Sequence, residues 1–318
     1  MSKRLFFPRA MITAVMMALF SVLFSACASS SGTSSSKLSV VVTTTLIGDV
    51  TAHVGGDLID LSVMMPAGVD PHSYEPAPAD LGKVADADLV FVNGIQFEAF
   101  LEKLIENAGD EAKVITVSEG IETLAMAEGA DEHTDEEHAH DHGEFDPHVW
   151  HDPNNVIVWA NNIADALSAR DPNNAATYRA NADAYIAELQ ALDTWIEEQV
   201  AQIPDANRRL VTEHGTLGYF AARYGFEVVG TAIPGFSTLA EPSAQELADL
   251  ADAIRDLDVK AIFVGNTVNP NVASQIAQDT GIQLVPMYTD SLSPADGPAA
   301  TYLDFMKFNV EALVGALK

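Results

Sequence analysis

The chain has 318 residues, a formal net charge of −30, one cysteine and nine histidines. So acidic a chain repels nucleic acid and anionic lipid headgroups, which excludes charge-driven binding to either. A lone cysteine excludes any intrachain disulfide.

The N-terminus carries Lys3, Arg4 and Arg9, then an apolar run over 10–24, then Ser25-Ala26-Cys27. A basic region, an apolar run and a small-residue cleavage site together predict a signal peptide over 1–26. The run is too short for a membrane span, which takes roughly 20 apolar residues. Cysteine directly after Ser-Ala resembles a bacterial lipobox, with Phe24 where leucine is usual, so Cys27 is the expected site of acylation. Residues 27–36 then read as anchor and flexible tether, because 28–36 are almost all Ser, Gly and Thr. Anchor and tether together place the protein outside the cytoplasm, in the periplasm or on the outer face of the cell membrane, held there by lipid alone. The rival is an ordinary secreted protein with an incidental cysteine.

From Lys37 onward short β-rich runs alternate with helical stretches. Strands are predicted over 38–44, 59–65, 89–93 and 114–117, with helices such as 46–54 and 97–108 between them. The pattern recurs after Pro204, with strands over 209–213, 226–231, 261–264 and 283–287. One helix there starts at Ser243, with Glu246 at capping-box spacing, and another at Asn269-Pro270, with proline in the first helical position. Such alternation predicts an α/β chain with small parallel sheets: an N-terminal α/β lobe over 37–170 and a C-terminal one over 204–318. Between them, 171–203 reads as one connecting helix, opened by Asp171-Pro172 and stopped by Pro204. Its apolar line is Tyr178, Ala182, Tyr185, Leu189, Leu192, Ile196, Val200 and Ile203, in steps of three or four. From Pro172 to Ile203 it would span roughly 48 Å, a strut crossing both lobes. A coiled-coil dimer helix is the rival, weakened by Ala and Tyr where branched residues would repeat.

Six of the nine histidines fall in the stretch 128–153, EGADEHTDEEHAHDHGEFDPHVWHDP. His133, His138, His140 and His142 sit among acidic residues with nothing apolar to bury, so 128–144 reads as a mobile loop that collects metal ions at accessory sites. Imidazole suits zinc and neighbouring transition metals, whereas carboxylates suit harder ions. His148 and His151 follow in a block with Pro and Trp that reads as ordered.

Open α/β sheets bind ligands beyond the carboxyl ends of their strands. Four candidates fall there: His72 after the second strand, His148 after the fourth, His214 at the end of the first strand of the second half, and Asp290 after the last. If the lobes face each other, three imidazoles and one carboxylate meet in the cleft. Four N/O donors without sulfur suit tetrahedral Zn²⁺ or, less well, Mn²⁺. The plain alternatives are a turn residue at His72, a helix-entry residue at His148, a satisfied strand-end histidine at His214 and a turn cap at Asp290. His151 is expected behind the ligands or at an accessory metal site. Glu213 is expected to point away from His214 along a regular strand. Glu75 and Glu241 either orient ligands from behind or are loop carboxylates, and His53 is given no role.

Taken together the motifs resemble the zinc/manganese family of ABC-transporter solute-binding lipoproteins. The resemblance is carried by DPHSYEP (70–76), DPHVWHDP (146–153), VTEHGTLGYFAARYG (211–225), AEPS (240–243), YTDS (288–291) and TYLDFMKFNVEAL (301–313), in this order over nearly the whole chain after the tether. It implies two Rossmann-like lobes joined by one long rigid helix, with the metal in the cleft between them. It carries the ligand role onto His72, His148, His214 and Asp290. A His/acidic loop just before the second ligand occurs mainly in zinc members of that family, as at 131–144 here. Two departures stand out: His151 takes a place usually held by leucine, and the cysteine pair of some zinc members is absent. The implied function is capture of Zn²⁺ outside the cytoplasmic membrane by a monomer, and its delivery to an ABC permease and its ATPase. Manganese, or both ions, is the alternative cargo. Rivals of other kinds are a metal buffer or surface adhesin without a transporter, and a secreted zinc hydrolase. A hydrolase needs an open metal position and a general base, and Glu213-His214 is a poor substitute for an H-E-x-x-H helix.

Overall fold

In the computed structural model the described residues are 37–98, 113–125 and 145–318. The signal peptide, the tether with Cys27, most of the helix predicted over 97–108, and His133, His138, His140 and His142 lie outside them. The first sheet holds β1 (Leu38–Val42), β2 (Ile59–Val63), β3 (Leu89–Val92) and β4 (Val114–Thr116), in the order β2-β1-β3-β4. The second holds β5 (Arg209–Thr212), β6 (Glu227–Thr231), β7 (Ala261–Val264) and β8 (Gln283–Pro286), in the order β6-β5-β7-β8. Every pairing is parallel, as strand–helix alternation requires. The same order occurs twice. In each sheet the first strand lies between the next two, so the chain reverses direction across it and a crevice opens beyond its carboxyl end.

The described helices are α1 (Thr45–Gly55), α2 (Pro78–Asp86), α3 (Pro153–Arg170), α4 (Ala175–Val200), α5 (Gly218–Tyr224), α6 (Ala244–Asp256), α7 (Asn271–Thr280) and α8 (Tyr302–Leu317). The predicted capping box opens α6: Ser243 Oγ accepts from the Glu246 N–H at 3.2 Å, and Glu246 Oε2 accepts from the Ser243 N–H at 2.6 Å. At α7 the proline stands one place earlier than predicted, as the capping residue Pro270, and Asn269 Oδ1 accepts from the Asn271 N–H.

The connecting helix is shorter than its sequence pattern. A 3₁₀ turn at Pro172–Asn174 precedes α4, and α4 stops at Val200. The Asp171 carboxylate tightens that entry by accepting from Asn174 Nδ2 at 2.6 Å and Tyr178 Oη at 3.1 Å. The 26 residues of α4 span about 39 Å. The apolar line from Tyr178 to Ile203 is buried throughout. It packs against α1, α3 and α8 of the same chain, which leaves no apolar seam for a coiled-coil partner.

Side-chain alternation along the strands divides the core into layers. Val40 and Val42 of β1, Leu89 and Phe91 of β3, Leu210 of β5, and Ala261 and Phe263 of β7 belong to one apolar cluster with the buried faces of α1, α3, α4, α5 and α8. The opposite faces have separate covers. Val41, Val90 and Val92 pack with Val84 of α2, while Val211, Ile262 and Val264 pack with α6 and α7. The inner faces of both sheets therefore share a single core, and residues 37–318 form one compact unit. Among the described residues no helix is long and apolar enough to cross a membrane.

Leu189 is fully buried in the middle of α4. Leu189→Ala should lower the unfolding free energy in urea by about 2–5 kcal/mol through lost apolar contact and a residual cavity. A loss below about 1 kcal/mol would mean that the core does not depend on this helix.

Candidate metal centre

Two of the candidate histidines are aimed by the same local device. In Asp70-Pro71-His72 and again in Asp146-Pro147-His148, the aspartate carboxylate accepts the backbone N–H of the histidine two residues on, at 3.0 and 2.9 Å. The proline between fixes φ, so carboxylate and histidine turn as a unit. His72 lies inside the 3₁₀ turn Pro71–Ser73, and His148 caps the 3₁₀ turn Val149–His151. His214 lies just beyond β5, and Asp290 lies in the loop that follows β8.

These four side chains converge, and one donor atom from each lies within 4.8 Å of all the others. His148 Nε2 is 3.3 Å from both His72 Nε2 and His214 Nε2. Asp290 Oδ1 is 3.6 Å from His148 Nε2 and 3.8 Å from His214 Nε2. At two of the histidines the other ring nitrogen already has a carboxylate partner: Asp146 Oδ1 is 2.8 Å from His148 Nδ1, and Glu213 Oε1 is 3.2 Å from His214 Nδ1. Such partners fix the ring and leave Nε2 as the free donor to a metal. Asp290 is asymmetric. Its Oδ2 accepts from Thr289 Oγ1 at 2.9 Å and Thr267 Oγ1 at 3.1 Å, whereas Oδ1 is buried with no hydrogen-bond partner. A buried carboxylate oxygen without a donor is costly unless a cation meets it. Phe97 and Trp150 wall the cluster, with ring centroids 5.2 Å from those of His72 and His148 respectively. Polar ties join the loops of the two halves around it: Thr238 Oγ1 donates to Asp70 Oδ2 at 2.7 Å, the Gly68 N–H to Ser291 Oγ at 2.9 Å, and Trp150 Nε1 to the Thr289 carbonyl at 2.8 Å.

Electrostatics distinguish the three imidazoles. Burial pushes His72 and His148 down to about 3, so both are neutral donors at physiological pH. Burial also opposes charge on His214, but the Asp290 and Glu213 carboxylates outweigh it and hold this imidazole above its ordinary value. Burial likewise disfavours the Asp290 carboxylate, yet His214, His148 and His72 hold it below its usual range. Without a metal ion, an imidazolium at 214 thus balances the carboxylate at 290. Burial also pushes Asp146 up to about 8. A divalent cation can take the place of the His214 proton and meet three neutral nitrogens and one carboxylate oxygen.

All four residues singled out from the sequence therefore meet in one place, and the structure adds others. His151 is buried but apart from the four: its Nε2 lies 3.2 Å from Thr216 Oγ1, and its ring packs on Phe305. Glu213 corrects a sequence expectation. It faces His214 rather than pointing away, because β5 ends at Thr212 and strand alternation no longer governs the next two residues. Glu75 and Glu241 are exposed, and neither is hydrogen-bonded to the four. His53 stacks on Tyr185 on the far side of α1. Asp146, Thr267, Thr289 and Gly265 were not singled out from the sequence. The repeated D-P-H could have revealed Asp146. Gly265 had no signal beyond following a strand, yet a Cβ there would collide with Thr289 Oγ1 and Glu213 Oε1, the supports of two different ligands.

Similar proteins are known. The family model described as zinc-uptake complex component A, periplasmic, matches residues 40–316. The manganese-binding lipoprotein MntA of Halalkalibacterium halodurans is 35% identical over 281 residues, 88% of each chain. The manganese ABC transporter substrate-binding lipoprotein PsaA of Streptococcus pneumoniae is 34% identical over 314 residues, covering 96% of this chain and 98% of that one. Among solved structures, the periplasmic zinc-binding protein TroA of Treponema pallidum superposes with a TM-score of 0.80 at 27% identity, covering 89% of this chain and 99% of that one. A manganese-bound periplasmic metal-binding protein of Candidatus Liberibacter asiaticus gives a TM-score of 0.78 at 30% identity, covering 89% of this chain and all of the other. With the family model spanning both sheets and all four convergent residues, this chain belongs to the zinc-uptake complex component A family, the metal-binding solute-binding proteins of ABC transporters, which are not enzymes.

Proposed function

We propose that this protein binds Zn²⁺ through His72, His148, His214 and Asp290 and delivers it to the permease of an ABC uptake system driven by an ATPase. The observation that carries the reading is the donor geometry: three imidazole nitrogens and one carboxylate oxygen within 4.8 Å of one another, with Asp290 Oδ2 occupied by two hydroxyls. That offers four donors in a closed site, the arrangement of a held zinc ion rather than of a catalytic one. Three nitrogens of four also favour zinc over manganese. Manganese is the second reading, favoured by the names of the relatives MntA and PsaA. Metal-stripped protein, titrated with each ion and then with both in competition, separates the two.

In the same proposal the loop over 128–144, with His133, His138, His140 and His142, gathers ions at weak accessory sites. Cys27 carries the lipid that holds a monomer at the outer face of the membrane, with 28–36 as its tether. A core shared by both sheets allows release by small tilts and loop shifts rather than a wide hinge.

Two outcomes follow for variants of the chain. His148→Ala should weaken zinc binding by more than the roughly 10–100-fold that loss of an outer hydrogen-bond partner costs. The same calorimetry on a chain lacking 131–142 should lose only weak sites. Wild-type affinity in the first variant, or loss of the tight site in the second, contradicts the assignment.

Affinity should also depend on pH with a defined sign. His72 and His148 are already neutral above pH 5, while His214 and Asp146 are protonated below their raised values. Zinc must therefore expel roughly one to two protons near pH 7, and affinity should fall about tenfold or more for each unit of pH decrease. Calorimetry in buffers of different ionisation enthalpy counts those protons, and a count of zero contradicts this charge arrangement.

Finally, Cys27→Ala should move the protein from the detergent phase to the aqueous phase on Triton X-114 partition. Unchanged partition would rule out the lipid anchor.

A further inference from the structure

The four-residue site contains one donor with a choice. Three imidazoles can each give a metal one nitrogen, but a carboxylate can give one oxygen or two. That choice sets the coordination number: four donors if Asp290 is monodentate, five if it is bidentate. Zinc accepts four nitrogen-rich donors in a tetrahedron, whereas manganese prefers more donors and a larger share of oxygen. Whatever restrains the second oxygen of Asp290 therefore acts on metal choice.

That restraint comes from two directions. Thr289 Oγ1, next door in the chain, donates to Oδ2 at 2.9 Å. Thr267 Oγ1, from the loop after β7 and 23 positions away, donates to the same atom at 3.1 Å. The two loops are also tied to each other, since Asn266 Oδ1 accepts the Thr289 N–H at 3.4 Å. Oδ1 meanwhile faces His148 and His214 with no donor of its own. To present both oxygens to one ion, the carboxylate would have to turn Oδ2 out of both hydroxyl contacts. Hydrogen bonds to a charged acceptor are among the stronger ones, so the turn is resisted. Thr289 adjoins the ligand, and changing it would disturb Asp290 itself. Thr267 donates its hydroxyl to Oδ2, is not adjacent to the ligand in the chain, and is half-buried in a loop.

We propose that Thr267 is a specificity-determining residue: by holding Asp290 Oδ2 away from the ion, it keeps the site four-coordinate and biases it towards zinc over manganese. The proposal rests on the site assignment made above. Removing the hydroxyl leaves Thr289 Oγ1 as the one hydroxyl on Oδ2, which weakens the restraint against a fifth bond and helps manganese more than zinc. Thr267 is a positioning residue here, because it acts through Asp290 and does not meet the metal.

The test compares the full metal-stripped chain with Thr267→Val, which keeps the shape and removes the hydroxyl, and with Thr267→Ser, which restores it. Competition titrations with Zn²⁺ and Mn²⁺ give the ratio of the two affinities. Electron paramagnetic resonance of bound Mn²⁺ reports its coordination symmetry. In Thr267→Val the zinc-to-manganese ratio should fall roughly tenfold, the factor that one charge-assisted hydrogen bond is worth. The manganese spectrum should change with it, and Thr267→Ser should return both to wild type. An unchanged ratio, or an equal loss of both metals, overturns the proposal, the latter because it marks a merely structural residue. Asp290→Ala serves as the control for the site itself. Wild-type affinity for both ions in that variant means the metal binds elsewhere, an outcome distinct from an unchanged ratio in Thr267→Val.

Discussion

The single core shared by the inner faces of both sheets is the constraint on which everything else depends. Val40 and Phe91 from one sheet and Leu210 and Phe263 from the other belong to the same apolar cluster, with α4 running through it. Interiors packed to the density of organic crystals transmit displacement rather than absorb it. The loops at the carboxyl ends of both sheets are therefore held in register with one another. That is why side chains from four separate loops arrive within bonding range of one point. It is also why the fold suits small movements of loops over large rotations of lobes.

At that point the protein has solved an electrostatic problem with few charges. His148 and His214 are buried and His72 half-buried, and only one carboxylate, Asp290, faces their inward-pointing Nε2 atoms, while Asp146 and Glu213 meet two of the rings from behind. Burial keeps His72 and His148 neutral, while Asp290 and Glu213 sustain charge on His214 alone. The site is thereby poised for exchange of proton for metal, with most of its donors already in the required state. Asp146 and Glu213 fix the rings from behind, and the backbone turns of the two D-P-H segments fix their approach.

A solved neighbour named for manganese and another named for zinc share this fold. Selection between the two ions therefore cannot lie in the architecture. It lies in the donor set itself and in the contacts that orient those donors. Intrinsic affinity alone favours zinc at most nitrogen-rich sites. A binding protein that serves manganese has to overcome that order by geometry.

Much of this was legible in the sequence because it depends on local periodicity or local chemistry. Strand–helix alternation predicted two parallel sheets. Steps of three and four residues placed the buried face of α4 correctly from Tyr178 to Val200, although the turn at Pro172 moved the helix start three residues later and Ile203 lies buried beyond its end. The four convergent residues were found from their places after strands and from a family resemblance. Tertiary structure alone decided the rest. Glu213 faces His214 because β5 ends at Thr212, one residue earlier than the strand predicted over 209–213, and strand termini are set by what the sheet can pair. Gly265 and Thr267 matter only because one loop lies against another that is distant in the chain, and no periodicity encodes such an approach. Composition and pattern therefore determined which residues could bind a metal. Packing between distant segments decided which oxygen of Asp290 is left free to do so.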